Sequence, residues 1–154
     1  MTNNKSNLTL VSQNPKDFNF PKGKYIILDL CYIYSDIEWS DFCNKSFEKS
    51  GCSADIKGCV WEYNGIKFFT CRTAFGDGCF PIKKGNKILG HCGVDAGLLA
   101  LVPLELARTW PEYDSKGNLG IKIEVNKYFT IQTFGKNEVR PGNWKFLNYK
   151  VITE

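Results

Sequence analysis

The sequence predicts a mainly β domain: an antiparallel β-sandwich or partly open barrel, with one or two short helices. Three observations lead there. Asn64-Gly65 lies between two apolar-aromatic runs, as in a two-residue hairpin. Residues 24–34 (KYIILDLCYIY) and 98–102 (LLALV) are apolar runs of the length of buried strands. Turn residues recur at roughly the spacing of a sandwich or barrel.

In chain order, residues 1–23 are polar, and Pro15 and Pro21 break any periodicity. They read as a mobile N-terminal arm whose only strand candidate is Leu8-Thr9-Leu10-Val11. Residues 24–154 then form one β-rich domain. The run 24–34 is its first buried strand. Residues 37–49 space Ile37, Trp39, Phe42, Cys43 and Phe47 as in a short helix, with Ser40 as cap and Gly51 as stop.

The Asn64-Gly65 turn pairs Tyr63 with Ile66, Glu62 with Lys67, and Trp61 with Phe68. Strands at 79–83 and 87–94 flank Lys84-Gly85-Asn86. After the Asp95-Ala96-Gly97 turn comes the buried strand 98–102, and Pro103 opens a short helix over 103–110. Residues 119–134 read as a further hairpin with a three-residue loop at 126–128, pairing Val125 with Phe129 and Ile123 with Ile131. A last strand is expected at 144–152.

The chain has 154 residues and a formal charge of +4. That charge is uneven. Residues 1–24 carry a net +3, residues 29–62 a net −4, and residues 116–150 a net +5. The residues after the arm are too nearly neutral for a duplex binder, whose affinity comes from neutralising many phosphates. No apolar run approaches the roughly 20 residues of a membrane-spanning helix. The segment MTNNKSNLTL has neither the charged nor the apolar part of a secretion signal. The seven cysteines include no CxxC pair and there is one histidine, so no zinc pattern stands out. They read as buried apolar thiols in a reducing cytoplasm, with a secreted disulfide scaffold as the alternative.

Three constellations can carry chemistry. His91 with Cys71 or Cys79 has the residue types of a nucleophile–base pair, against the plainer reading of a strand histidine bonded to backbone. Asp29 interrupts an apolar strand, where a carboxylate is costly unless it is bonded or lies in a site. Asp77 and Asp95 sit beside glycines, where turn formation explains them, and the three carboxylates match no metal loop. In the C-terminal third, Tyr128, Phe129, Phe134, Trp144, Phe146 and Tyr149 interleave with Lys127, Lys136, Arg140, Lys145 and Lys150. Aromatic faces stack bases and cations meet phosphates, so this pattern fits a small anionic, base-containing ligand. An ordinary sheet with aromatics inside and lysines outside is its structural alternative.

KGKYIILDLCYIY, Trp39, TAFGDGCF and GVDAGLLALVPLEL together resemble a group of small phage and bacterial proteins. That group carries a GDPCY-like strand end, then a Trp segment, a GDGxY turn and a VD[AS]G turn. The resemblance covers about residues 24–106, through Asp29, Cys31, Tyr32, Trp39, Gly76, Asp77, Gly78, Phe80, Val94, Asp95, Gly97 and Pro103. Leu28 and Leu30 replace the Gly and Pro of that pattern, and Phe80 replaces its Tyr. The resemblance implies no established enzyme activity. It implies a phage-type accessory protein acting by binding host molecules.

The expectation is a non-enzymatic binding protein that sequesters a small anionic nucleotide signal of host immunity, such as a cyclic nucleotide. Its ligand-binding candidates are Asp29, Tyr32, Trp39, Asp77, Asp95, Arg140, Trp144 and Lys145. No cofactor, metal, duplex nucleic acid or membrane is expected. The alternatives are a module that inhibits a host protein and an Asp-dependent hydrolase. Exposed strand edges also make a homo-oligomer an expected state.

Overall fold

The two apolar runs are the centre of the molecule. In the computed structural model, which describes residues 7–32, 36–48, 57–95, 97–107 and 120–154, the first run is a strand as far as Asp29 and the second a strand throughout, both covered on both faces. Strand neighbours point to opposite sides of a sheet. Ile26 and Leu28 therefore enter one core while Tyr25 and Ile27 enter another; Ala100 and Val102 separate from Leu99 and Leu101 in the same way. This double burial explains why neither run alternates with polar residues.

The described strands are β1 (Leu8–Ser12), β2 (Gly23–Asp29), β3 (Cys59–Tyr63), β4 (Ile66–Arg72), β5 (Gly78–Lys84), β6 (Lys87–Val94), β7 (Leu98–Pro103), β8 (Gly120–Val125), β9 (Gln132–Phe134), β10 (Asn143–Phe146) and β11 (Tyr149–Val151). They make two antiparallel sheets of order β1-β3-β4-β7-β2-β8 and β6-β5-β11-β10-β9. The sheets pack as a sandwich and do not close into a barrel. Their shared core holds Phe69, Trp144 and Phe146 among its large side chains. The outer face of the six-stranded sheet is covered by α1 (Asp36–Glu48) and α2 (Leu104–Ala107). Phe42 of α1 packs on Trp61 with ring centroids 4.9 Å apart. No helix among the described residues is long and apolar enough to cross a membrane.

The Asn64-Gly65 hairpin has the expected register, Tyr63 with Ile66, Glu62 with Lys67 and Trp61 with Phe68. Both turn residues have positive φ, 52° and 81°, the mirror-image turn that suits strand twist. Helix α1 starts at Asp36, so Ser40 lies within it rather than at its cap. The stop at Gly51 falls outside the described residues, as does the end of the helix expected over 103–110.

Three expectations are corrected. Residues 8–23 are part of the fold: β1 pairs with β3, and the amides and carbonyls of Phe20 and Phe129 exchange hydrogen bonds of 2.8 and 3.0 Å. Among their few apolar residues Leu8 and Phe20 are fully buried, and a low apolar count concealed them. Residues 119–134 are not a hairpin. β8 pairs with β2 and β9 pairs with β10, in opposite sheets. Ile123, Val125, Phe129 and Ile131 all reach the core, so alternation gave the inward face but not the partner strand. The final strand is itself a hairpin, β10–β11, turning at Leu147-Asn148. Leu147 takes φ 51°, a conformation that a leucine rarely adopts and its sequence does not announce.

Candidate functional site

At one end of the sandwich, β2 stops at Asp29 and a single 3-10 turn, Leu30–Tyr32, follows. Asp29 is fully buried. Its Oδ1 accepts from the Cys31 amide at 3.0 Å and its Oδ2 from the Asp95 amide at 2.8 Å. The Tyr32 hydroxyl donates to Asp95 Oδ2. The carboxylate in the apolar strand thus ties the end of β2 to the β6–β7 turn, and the bonds offset its desolvation.

Burial, then the charge and hydrogen bond of Asp29, push the Cys31 thiol well above its ordinary range. Burial and the bond to Asp95 raise the Tyr32 phenol likewise. Both stay protonated at neutral pH, so neither supplies an anionic nucleophile.

The cluster joins Asp29, Tyr32 and Asp95. Asp77 is exposed in the neighbouring bend. That bend is held against the β6–β7 turn, with the Thr73 amide donating to the Gly97 carbonyl at 3.0 Å. Gly97 has φ +68°, a backbone conformation that a residue with a side chain rarely adopts. Trp39 lies in α1, and its side chain is outside the described residues. No group of three or more His, Cys, Asp or Glu among the described residues is placed to hold a metal. His91 is exposed on β6, while its neighbour Cys92 is buried and donates to the Ile27 carbonyl at 3.3 Å. Burial is the main cause that raises the Cys92 thiol to about 12.

The remaining three predicted residues lie elsewhere. Arg140 is exposed in the loop before β10. Trp144 is fully buried, its ring 4.8 Å from that of Phe69, so it presents no face to solvent. Lys145 points outward, with Nζ 5.4 Å from the centroid of the Phe134 ring.

Lys145 opens onto a groove of about 420 Å³, in the size range of small-ligand sites. Two pairings build it. Antiparallel β1 and β3 bring Gln13–Lys16 beside Lys57, which precedes β3. Antiparallel β9 and β10 set Lys145 opposite Gln132. The lining holds three cations (Lys16, Lys57, Lys145), the amides of Gln13, Asn14 and Gln132, and the half-buried Phe134. No acid lines it among the described residues. Compared with known proteins, the chain matches no family model, no curated protein and no solved structure.

A second groove, of about 710 Å³, holds Lys22, Lys24 and Lys67 with Phe18, Tyr25 and Tyr128. It is less positive: Glu105 also lines it, and Lys67 is ion-paired with Glu62 at 3.1 Å. Lys16, Lys57 and Gln132 were not foreseen from the sequence. They converge through pairings between distant segments, and only the Phe134 and Lys145 side of the groove was visible as a basic-aromatic pattern.

Proposed function

We propose that the protein is a non-enzymatic binding protein that sequesters a small anionic nucleotide in the groove of Lys16, Lys57 and Lys145. One observation carries the reading: three lysines, an aromatic ring and, among the described residues, no acid line a cavity of nucleotide size. The lysines fit phosphate, Phe134 gives the groove an aromatic wall with Lys145 over its ring, and Gln13, Asn14 and Gln132 offer donors and acceptors for a base edge. The acid cluster supports the non-catalytic part, since both Asp29 oxygens accept backbone amides. The motif resemblance supports a phage-type accessory role against host immunity. The free thiols of Cys31, Cys79 and Cys92 support a cytoplasmic setting.

The test is thermal unfolding with a panel of nucleoside 5′-monophosphates and 3′,5′-cyclic nucleotides. A ligand at a hundred times its Kd stabilises by about 2.7 kcal/mol, or about 5–10 °C for a chain of this size. A panel without any shift overturns the reading.

A second reading, an interaction module, has its own observation. β6 is an edge strand, and it exposes Ile88 and Leu89 at 50% and 38%. Open edges with apolar side chains invite pairing. Sedimentation of the purified chain as a monomer at high concentration would speak against its self-associating form, whereas a dimer that Leu89→Lys dissolves would favour it.

A further inference from the structure

The two lysine-bearing grooves share their walls. Residues 13–16 line the smaller groove and 18–25, apart from the buried Phe20, the larger, with the exposed Asp17 between them. On the other wall, Tyr128 lines the larger groove and 131–134 the smaller. The two walls are joined midway by the reciprocal hydrogen bonds of Phe20 and Phe129. The grooves are therefore the two ends of one flank.

The segment between them alternates. Phe129 and Ile131 are buried, while Tyr128, Thr130 and Gln132 are exposed and Phe134 is half-buried. Only 132–134 are strand, but burial alternates along the whole segment, so the last four face outward, with an aromatic ring at each end and polar groups between. Tyr128 is 67% exposed. Lysines stand at both ends: Lys16, Lys57 and Lys145 near Phe134, and Lys22 and Lys24 near Tyr128.

We infer that this flank takes a short single-stranded oligonucleotide, bound along the row from Phe134 to Tyr128. This rests on the nucleotide reading above and extends it to the larger groove. The seven residues from Tyr128 to Phe134 are six steps, at most about 20 Å. That length suits roughly four or five nucleotides, the low end of single-strand sites. Rings at both ends favour bases over a simple polyanion, because every base has a face to stack. The open row and the modest charge suit a single strand rather than a duplex.

The test compares thymidine 5′-monophosphate with fluorescein-labelled pentathymidylate, by calorimetry and anisotropy, on the full chain. The pentanucleotide should bind at least tenfold more tightly. Lys22→Gln/Lys24→Gln should abolish that gain, leave mononucleotide affinity unchanged, and lower the salt slope of log K by about 1.4, about 0.7 per lost phosphate contact. Both lysines are exposed, and an unchanged Tm verifies that the variant is folded. A pentanucleotide no tighter than the monophosphate, or a gain that survives in the variant, overturns the inference while leaving the nucleotide reading intact. Absence of binding by either probe overturns both. Equal affinity for a penta-glutamate peptide assigns the flank to acidic polypeptides and also overturns it.

Discussion

The acid end and the lysine flank place charge in opposite ways. At the acid end a buried carboxylate has each oxygen on a backbone amide, and Asp95 is engaged by Tyr32. On the flank, Lys16, Lys57 and Lys145 are exposed around a groove that no acid lines among the described residues. Charge consumed by internal bonds holds the chain together; charge left facing a cavity is available to a ligand. An unusual residue in an apolar strand drew notice to Asp29, yet its partners show it acting on the fold.

The sharpest separation comes from Asp29→Ala. It leaves the amides of Cys31 and Asp95 without that acceptor and should destabilise by about 3 kcal/mol. Urea unfolding measures this, while nucleotide affinity of the folded fraction should stay unchanged. An affinity loss as large as the stability loss would break the division between the two regions. Lys145→Glu is the converse. It should weaken nucleotide binding at least tenfold, about 1.4 kcal/mol, by calorimetry, with Tm moved by only a degree or two.

Tyr32→Phe removes one hydrogen bond to Asp95 and should cost about 1 kcal/mol. The same end should also weaken in alkali. The folded values of Cys31 and Tyr32 lie above the ordinary 9.0 and 10.0. Their contribution is therefore complete below pH 9.0 and lost as pH rises through the folded values. Urea midpoints from pH 8 to 11 should fall, less steeply in Cys31→Ala/Tyr32→Phe. Asp77→Ala, at an exposed bend, should change stability by under about 0.5 kcal/mol and leave binding alone. A large binding loss there would return the acid end to the list of ligand sites.

Local signals carried much of the fold. Asn64-Gly65 set its hairpin register because two-residue turns leave little choice, and the apolar runs marked two strands buried on both faces, although the first ends at Asp29, short of the expected 24–34. Non-local pairing was hidden. Alternation over 119–134 placed Ile123 and Ile131 in the core but could not say that β8 would join β2 and β9 would join β10. The groove was half legible for the same reason. Phe134 and Lys145 belong to a visible basic-aromatic stretch, whereas Lys16 and Lys57 reach it only once β1 lies along β3. Trp144 looked like a stacking face by type, and burial against Phe69 made it core.

The central claim is that the lysine flank binds and the acid end does not. Calorimetric titration of adenosine 5′-monophosphate into the wild-type chain and into Lys16→Gln/Lys57→Gln/Lys145→Gln tests it most directly. Saturable heat in the wild type and none in the triple variant, with the two unfolding at the same temperature, is the predicted result. A wild type that yields no heat, or a triple variant that binds as tightly as the wild type, would contradict it.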